Sequence, residues 1–278
     1  MTQLQEEIER LYAMAGQART DPQAAARFAE FRDALTQGLI RAAEKKDGTW
    51  QVNPWVKKGI LLGFRLGELQ EWSGPGFSFV DKDTFPPRDF RVADGVRLVP
   101  GGSAVRQGAF VAPSVICMPP MYINVGAYVD EGTLVDSHAL VGSCAQIGKR
   151  VHLSAGAQIG GVLEPVNASP VIVEDEALIG GNCGVYEGAQ VRSRAVLAAG
   201  TILTRSTPIY DVVRGVIYSA SESEPLIVPE NAVVVPGARA LKHAKAAESG
   251  LSLYAPVIVK YRDVRTDSKL ELEDLLRS

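Results

Sequence analysis

Four pairs of small residues, Gly142-Ser143, Gly160-Gly161, Gly180-Gly181 and Ala198-Ala199, mark where a ligand could reach the backbone. A tight corner with left-handed backbone angles would account for any one of these glycines. Four pairs, one of them Ala-Ala, predict something more: a smooth column with accessible N–H and C=O groups. Such a column suits an extended, amide-bearing ligand such as the pantetheine arm of coenzyme A. Ser143, Gly161, Gly181 and Ala199 are its expected contacts, and Lys242, Lys245 and Lys260 are candidates for its phosphates. Cys117, Cys144 and Cys183 are odd in number and lack CxxC spacing, so they read as buried apolar side chains rather than disulfides or zinc ligands. No metal constellation stands out.

A column of this kind requires a repeat that stacks distant residues. From Val105 to Glu164 apolar residues lead every sixth position: Val105, Val111, Cys117, Ile123, Val129, Val135, Val141, Ile147, Leu153 and Ile159. Four residues after each lead comes a second, mostly small set that runs from Ala109 to Leu163. Neither a helix nor an ordinary strand has period six, so short strands separated by tight turns are implied, the signature of a parallel β-helix. After Glu164 the register moves by two and resumes at Val173, Ile179, Val185, Val191, Leu197, Leu203 and Ile209. The stretch Pro165–Pro170 then reads as a bulging loop on an eight-residue side, and Val228 and Val234 as a last partial coil. With three hexapeptides per triangular coil, roughly six to seven coils stack at about 4.8 Å. The period shows the coil but not its hand. Across the slip, the four small pairs are expected to share one corner.

Around the coil, helical spacing of Leu4, Ile8 and Leu11 and an Asp21-Pro22 start signal predict two helices within residues 2–46. A short strand Thr49–Val52 and a helix opening at Asn53-Pro54 follow. Trp72–Pro87 reads as irregular linker, Val92–Pro100 as a strand, Asp211–Ile217 as part of a hairpin or loop off the coil, Ala238–Gly250 as flexible, Leu253–Tyr261 as a terminal strand and Leu270–Leu276 as a short helix. The expected parts are a mostly helical domain over 1–90, the β-helix over 91–240 and a small β-rich extension over 241–278. With 278 residues, 46% of them hydrophobic, and a net charge of −3, the chain can bury a substantial core and offers no basic surface for nucleic acid. No apolar run reaches membrane-spanning length, and Met1–Arg10 lacks a signal core, so a cytoplasmic protein without membrane partners is expected.

Four strings carry a resemblance: Ala104–Phe110 (AVRQGAF), Asn124–Thr133 (NVGAYVDEGT), Val141–Lys149 (VGSCAQIGK) and Ile159–Pro165 (IGGVLEP). With likeness also over Ala43–Phe64 and Ser252–Lys260, the chain resembles the tetrahydrodipicolinate N-succinyltransferases. That resemblance implies a mainly β protein, a left-handed parallel β-helix with an N-terminal α-helical domain and a small C-terminal β-rich extension, assembled as a homotrimer. It implies transfer of succinyl from succinyl-CoA to the amine of 2-amino-6-oxopimelate, the opened form of tetrahydrodipicolinate, in diaminopimelate and lysine biosynthesis, with no metal. Asp136 matches the family's acidic residue, placed to orient or deprotonate the acceptor amine; by itself it reads as a turn aspartate. Arg97 and Arg106 match family arginines and would pair with the acceptor's two carboxylates.

One departure is clear. Where the family has Ser-Glu-Val-Val-Glu-Gly, this chain has Cys183-Gly184-Val185-Tyr186-Glu187-Gly188, so Gly184 stands at a position where an assisting glutamate is expected. Glu187, Tyr186 or His138, two residues beyond Asp136, could contribute instead. The rival expectations are an acetyl-CoA-dependent enzyme for the same step and a non-catalytic β-helix scaffold. A zinc site of the carbonic anhydrase kind, built from coil-related histidines, is disfavoured because His138 and His152 lie 14 residues apart.

Overall fold

The first helices form where their apolar spacing predicts. α1 (Gln3–Ala13) and α2 (Ala24–Thr36) bury Ile8, Leu11, Phe28, Phe31 and Leu35. α2 starts later than Asp21-Pro22 implies, because the Asp21 carboxylate accepts the Gln23 N–H at 2.8 Å and holds a turn ahead of the helix. A hairpin of β1 (Ala43–Lys46) and β2 (Thr49–Val52) turns at Asp47-Gly48, so residues 43–46 are strand, not helix. α3 (Pro54–Leu66) follows, and its Gly59 and Gly63 exist for close packing: a Cβ there would lie 2.4 Å from the rings of Phe31 and Phe28. The expected linker after it is instead an antiparallel hairpin, β3 (Leu69–Gly74) and β4 (Phe77–Lys82), in which Trp72 opposes Phe79. Its alternation of aromatic and polar residues was the available signal, obscured by the Gly and Pro content. This computed structural model describes residues 3–74, 77–241, 245 and 248–263; Lys242, His243 and the helix expected over Leu270–Leu276 lie outside them.

From Arg97 the chain winds through two-residue strands in three parallel ladders. Side I contains Arg97–Leu98, Ile116–Cys117, Leu134–Val135, His152–Leu153, Leu178–Ile179, Val196–Leu197 and Ala232–Val235. Side II contains Ala104–Val105, Tyr122–Ile123, Leu140–Val141, Gln158–Ile159, Gly184–Val185 and Ile202–Leu203. Side III contains Phe110–Val111, Tyr128–Val129, Gln146–Ile147, Ile172–Val173, Gln190–Val191 and Ile227–Val228. The second residue of each pair points inward, and the predicted leads from Val105 to Leu203 are at most 2% exposed. Thr133 and Thr201, the buried hydroxyls of the inner set, donate to the carbonyls of Gly148 and Ala198 at 2.9 and 2.7 Å, which removes their desolvation cost. The corners turn through a residue with positive φ at a fixed place, among them Ser114, Gly132, His138, Arg150 and Asn182.

The insertion is larger than a two-residue slip. Side II ends at Ile159 and side III resumes at Ile172, so the corner carries a whole extra stretch, and strand register pairs His152 with Leu178 and Gln158 with Gly184. Leu163, expected inside the coil, packs on the helical core instead. Lys57 of α3, fully buried, donates from Nζ to the Ala168 carbonyl at 2.6 Å and ties this loop to the helices.

Side III is covered by the N-terminal region. The Arg41 guanidinium lies 3.6 Å from the Tyr128 ring and its Nε donates to Gln146 at 2.9 Å. At the corner between sides III and I, Glu174 accepts from Lys45, Trp50 and Arg192 at 2.9, 2.7 and 2.7 Å. The three cysteines are free and buried, and burial pushes the thiols of Cys117 and Cys144 up to about 12. The C-terminal end is closed by Val257–Tyr261, which pairs antiparallel with Ala232–Val235 and parallel with Ile209–Asp211, the latter itself in a hairpin with Val216–Tyr218. Ala238–Ala240, expected to be flexible, pairs with Ser252–Tyr254.

Candidate active site

The coil register decides which sequence candidates meet. Asp136 follows strand Leu134–Val135 at the corner between sides I and II, one coil from Ser154 and in line with Gly180 and Ala198. Outside them runs a second column, Ser137, Ala155, Gly181 and Ala199. Gly142-Ser143 and Gly160-Gly161 follow side II strands and lie at the corner between sides II and III. The expected single column is therefore two, because the insertion adds more than one hexapeptide and residues twenty apart across it no longer stack. Ser143 is buried beside Cys144, at the junction with the helical core, and a Cβ on Gly161 would sit 2.7 Å from the Ser143 amide nitrogen. Neither belongs to an open groove with Gly181 and Ala199.

None of the five paired glycines has positive φ. Gly142 and Gly180 are glycine because a Cβ would fall 2.2 and 2.6 Å from the neighbouring coil's backbone nitrogens. Gly181 has room, its nearest neighbour being the Ala155 carbonyl at 3.4 Å. Along this corner the carbonyls of Ser137, Ala155 and Gly181 accept from Gly156, Asn182 and Gly200, whereas the amide N–H groups of Ala155, Gly181 and Ala199 have no acceptor in the described chain. Asp136 stands at the foot of this row of free donors. Its Oδ1 accepts the Ser137 N–H at 2.7 Å, as a turn aspartate does, and its Oδ2 has no partner among the described residues. Ser137 and Ala155 were missed by sequence reading; counting by the true register would have found them.

The other candidates scatter. His138 is exposed at φ 61°, the left-handed turn residue of its corner. Glu187 lies at the other corner, where its carboxylate accepts the Arg205 N–H at 2.8 Å. The Tyr186 ring covers Gly184: a Cβ there would be 2.3 Å from Tyr186 Cε2, so the phenol occupies the space of a side chain at that position. Arg97 is exposed on the outer face of side I with no ion pair among the described residues. Arg106 is already engaged, ion-paired with Asp81 of β4 and donating to Asn124 at 3.2 Å, and so clamps hairpin to coil. Lys260 lies on the closing strand with Nζ 3.4 Å from Asp263. Beside sides I and II at the N-terminal end is a cavity of 860 Å³, walled by β3–β4 and the first two coils, that sequence reading did not foresee. Among the described residues no group of His, Cys, Asp and Glu could hold a metal ion, and no helix is long and apolar enough to cross a membrane.

Two-residue strands on a triangular coil, with a corner of bare backbone ending at a carboxylate, define a hexapeptide-repeat β-helix of the acyltransferase kind. The family model for the tetrahydrodipicolinate N-succinyltransferase N-terminal region matches residues 3–66, and that for the hexapeptide repeat of succinyl-transferase matches 170–205. The chain is 45% identical to the 2,3,4,5-tetrahydropyridine-2,6-dicarboxylate N-succinyltransferase of Ralstonia nicotianae, over 99% of this chain and 98% of that one. To its counterpart in Nitrobacter winogradskyi it is 48% identical, over 89% and 90%. A solved 2,3,4,5-tetrahydropyridine-2-carboxylate N-succinyltransferase from Campylobacter jejuni is 18% identical, with a TM-score of 0.49 over 82% of this chain and 61% of that one. The chain belongs to the tetrahydrodipicolinate N-succinyltransferase family, hexapeptide-repeat acyltransferases built on a left-handed β-helix.

Proposed function

We propose that the protein transfers succinyl from succinyl-CoA to the amine of 2-amino-6-oxopimelate, the opened form of tetrahydrodipicolinate, in the diaminopimelate route to lysine. Identity of 45% across 99% of the chain to a succinyltransferase of that name carries this reading. Catalysis is assigned to the coil, residues 91–240, between the 1–90 and 241–278 parts. The pantetheine arm lies along the corner of Gly181 and Ala199, where the free N–H groups of Ala155, Gly181 and Ala199 can receive its amide carbonyls. The thioester then ends beside Asp136. An ammonium cannot attack a carbonyl until it loses a proton, and we assign the Asp136 carboxylate to take it or to hold the amine that has lost it. The amine adds to the thioester carbonyl, a corner N–H steadies the oxyanion, and as the C–S bond breaks the proton lost from nitrogen passes to sulfur, which releases coenzyme A as a thiol. Arg97 serves a carboxylate of the acceptor and Lys260 the phosphates of the donor.

A homotrimer completes the site. Side III is covered, whereas sides I and II present half-buried outward residues such as Ile116, Leu134, Leu178 and Val196, and Tyr122, Leu140 and Ile202. A threefold rotation sets side I of one protomer against side II of the next and closes a water-poor cleft between them. The free, buried cysteines suit a reducing cytoplasm. The deciding experiment measures thiol release with succinyl-CoA and acetyl-CoA on the tetrahydrodipicolinate acceptor. A succinyl preference is expected; an acetyl preference would reassign the donor, and no thiol release from either would favour a binding scaffold.

A further inference from the structure

We propose that Arg88 anchors a carboxylate of the acyl acceptor within the cavity between hairpin β3–β4 and the first two coils. The assignment builds on the acyl-transfer reading above and adds a specificity-determining residue to it. Arg88 lines the cavity, half-buried, with its guanidinium 4.5 Å from the Phe90 ring. One of its five N–H donors is used, on the Ala109 carbonyl at 3.1 Å, and no carboxylate pairs with it among the described residues. Burial pushes this guanidinium down from its ordinary range. Asp94 offsets part of that burial from a distance without forming an ion pair. A desolvated cation with no carboxylate in hydrogen-bond contact is costly, and an anion entering the cavity would lower that cost.

Two further groups point the same way. The Trp72 indole N–H is buried with no partner among the described residues, and Trp72 lines the cavity. The Ser103 hydroxyl, also on the wall, accepts the Met121 N–H at 3.2 Å and keeps its own proton to donate. Arg106, the other cation there, is neutralised by Asp81, and the remaining acid of the wall, Asp89, is exposed to solvent. Phe85 and Tyr122 give the space an apolar body, as an aliphatic chain between polar ends requires.

Position connects this cavity to the reaction. Ser103 stands at the corner between sides I and II; Met121 N–H bonds to Ser103, and His138 N–H bonds to the Pro120 carbonyl. By strand register Ser103 stacks under Met121 and Ala139, three residues past Asp136 on the same corner, so the Ser103 wall and Asp136 are two coil steps apart, roughly 10 Å at the strand spacing. A dicarboxylate lying along the Ser103 wall of the cavity therefore points toward the corner that carries Asp136.

The test uses the full-length protein, wild type and the variants Arg88→Gln and Arg88→Lys, with matched melting temperatures as the fold control. Calorimetry with pimelate, an unreactive dicarboxylate, should show binding weakened at least tenfold in Arg88→Gln and partly restored in Arg88→Lys. In turnover, acceptor KM should rise about 10- to 100-fold in Arg88→Gln, with succinyl-CoA KM unchanged and kcat within about threefold. Unchanged pimelate affinity in Arg88→Gln overturns the assignment whatever turnover shows. Wild-type protein that binds pimelate through Arg88 yet transfers no succinyl would leave the anchor standing and remove the reaction instead.

Discussion

At the scale of single residues, the carboxylate of Asp136 combines a structural and a chemical task. One oxygen holds its own turn through Ser137 N–H, which fixes the side chain, and the other is left for a ligand. Asp136→Asn keeps the turn bond but removes the charge that receives a proton from the acceptor ammonium. Its kcat should fall by roughly two to four orders of magnitude, the span typical of a lost general base, with melting temperature little changed. Although the donor groove and Asp136 share a corner, the groove contacts are the N–H groups of Ala155, Gly181 and Ala199 rather than this carboxylate, so succinyl-CoA KM should move less than kcat. A variant with near-normal kcat would transfer the proton role elsewhere, and the Tyr186 phenol, seated over Gly184, would be the next group to remove.

The elements are joined by buried charge. Glu174, only 6% exposed, links hairpin β1–β2 to two successive coils through Lys45, Trp50 and Arg192. Burial alone would raise its pKa, but hydrogen bonds from those three donors outweigh it and hold the carboxyl at about 2, below its ordinary 4.5. A folded pKa below the unfolded one stabilises at pH above the unfolded value, and that contribution is lost as pH falls from 4.5 toward 2. The full shift corresponds to on the order of 3 kcal/mol. Glu174→Gln should therefore melt several degrees lower than wild type at neutral pH, with the gap narrowing steadily below pH 4.5. A gap independent of pH would show that the ion pairs do not couple hairpin to coil.

For the whole molecule, the consequence of the coil is a straight corner along which small residues leave backbone bare. Ala199 lies near its C-terminal end, exposed, with a methyl group already directed away from the core. Ala199→Leu should leave melting temperature and acceptor KM unchanged and raise succinyl-CoA KM by about tenfold or more, equivalent to about 1.4 kcal/mol of lost binding. Steady-state kinetics with each substrate varied in turn checks this, and an unchanged donor KM would take the groove away from this corner. Gly161→Leu is not an equivalent test, since its side chain would strike the Ser143 amide before reaching solvent.

What the sequence determined by itself is what depends on period and local chemistry. A lead every sixth residue can be satisfied only by a coil that points those leads inward, so the core from Val105 to Leu203, the burial of all three cysteines and the turn role of Asp136 were legible in one dimension. What only the tertiary structure decided depends on how coils meet across the loop at 160–171 and on what covers each side. The length of that insertion moved Ser143 and Gly161 to one corner and left Gly181 and Ala199 with Asp136 on another. Hairpin β3–β4 has strand alternation diluted by glycine and proline, and only its docking on the first coils spends Arg106 on Asp81 and leaves Arg88 as the cavity arginine with no ion pair among the described residues. Stacking distance, close backbone approach and the pairing of buried charge are properties of the folded coil, and no spacing along the chain encodes them.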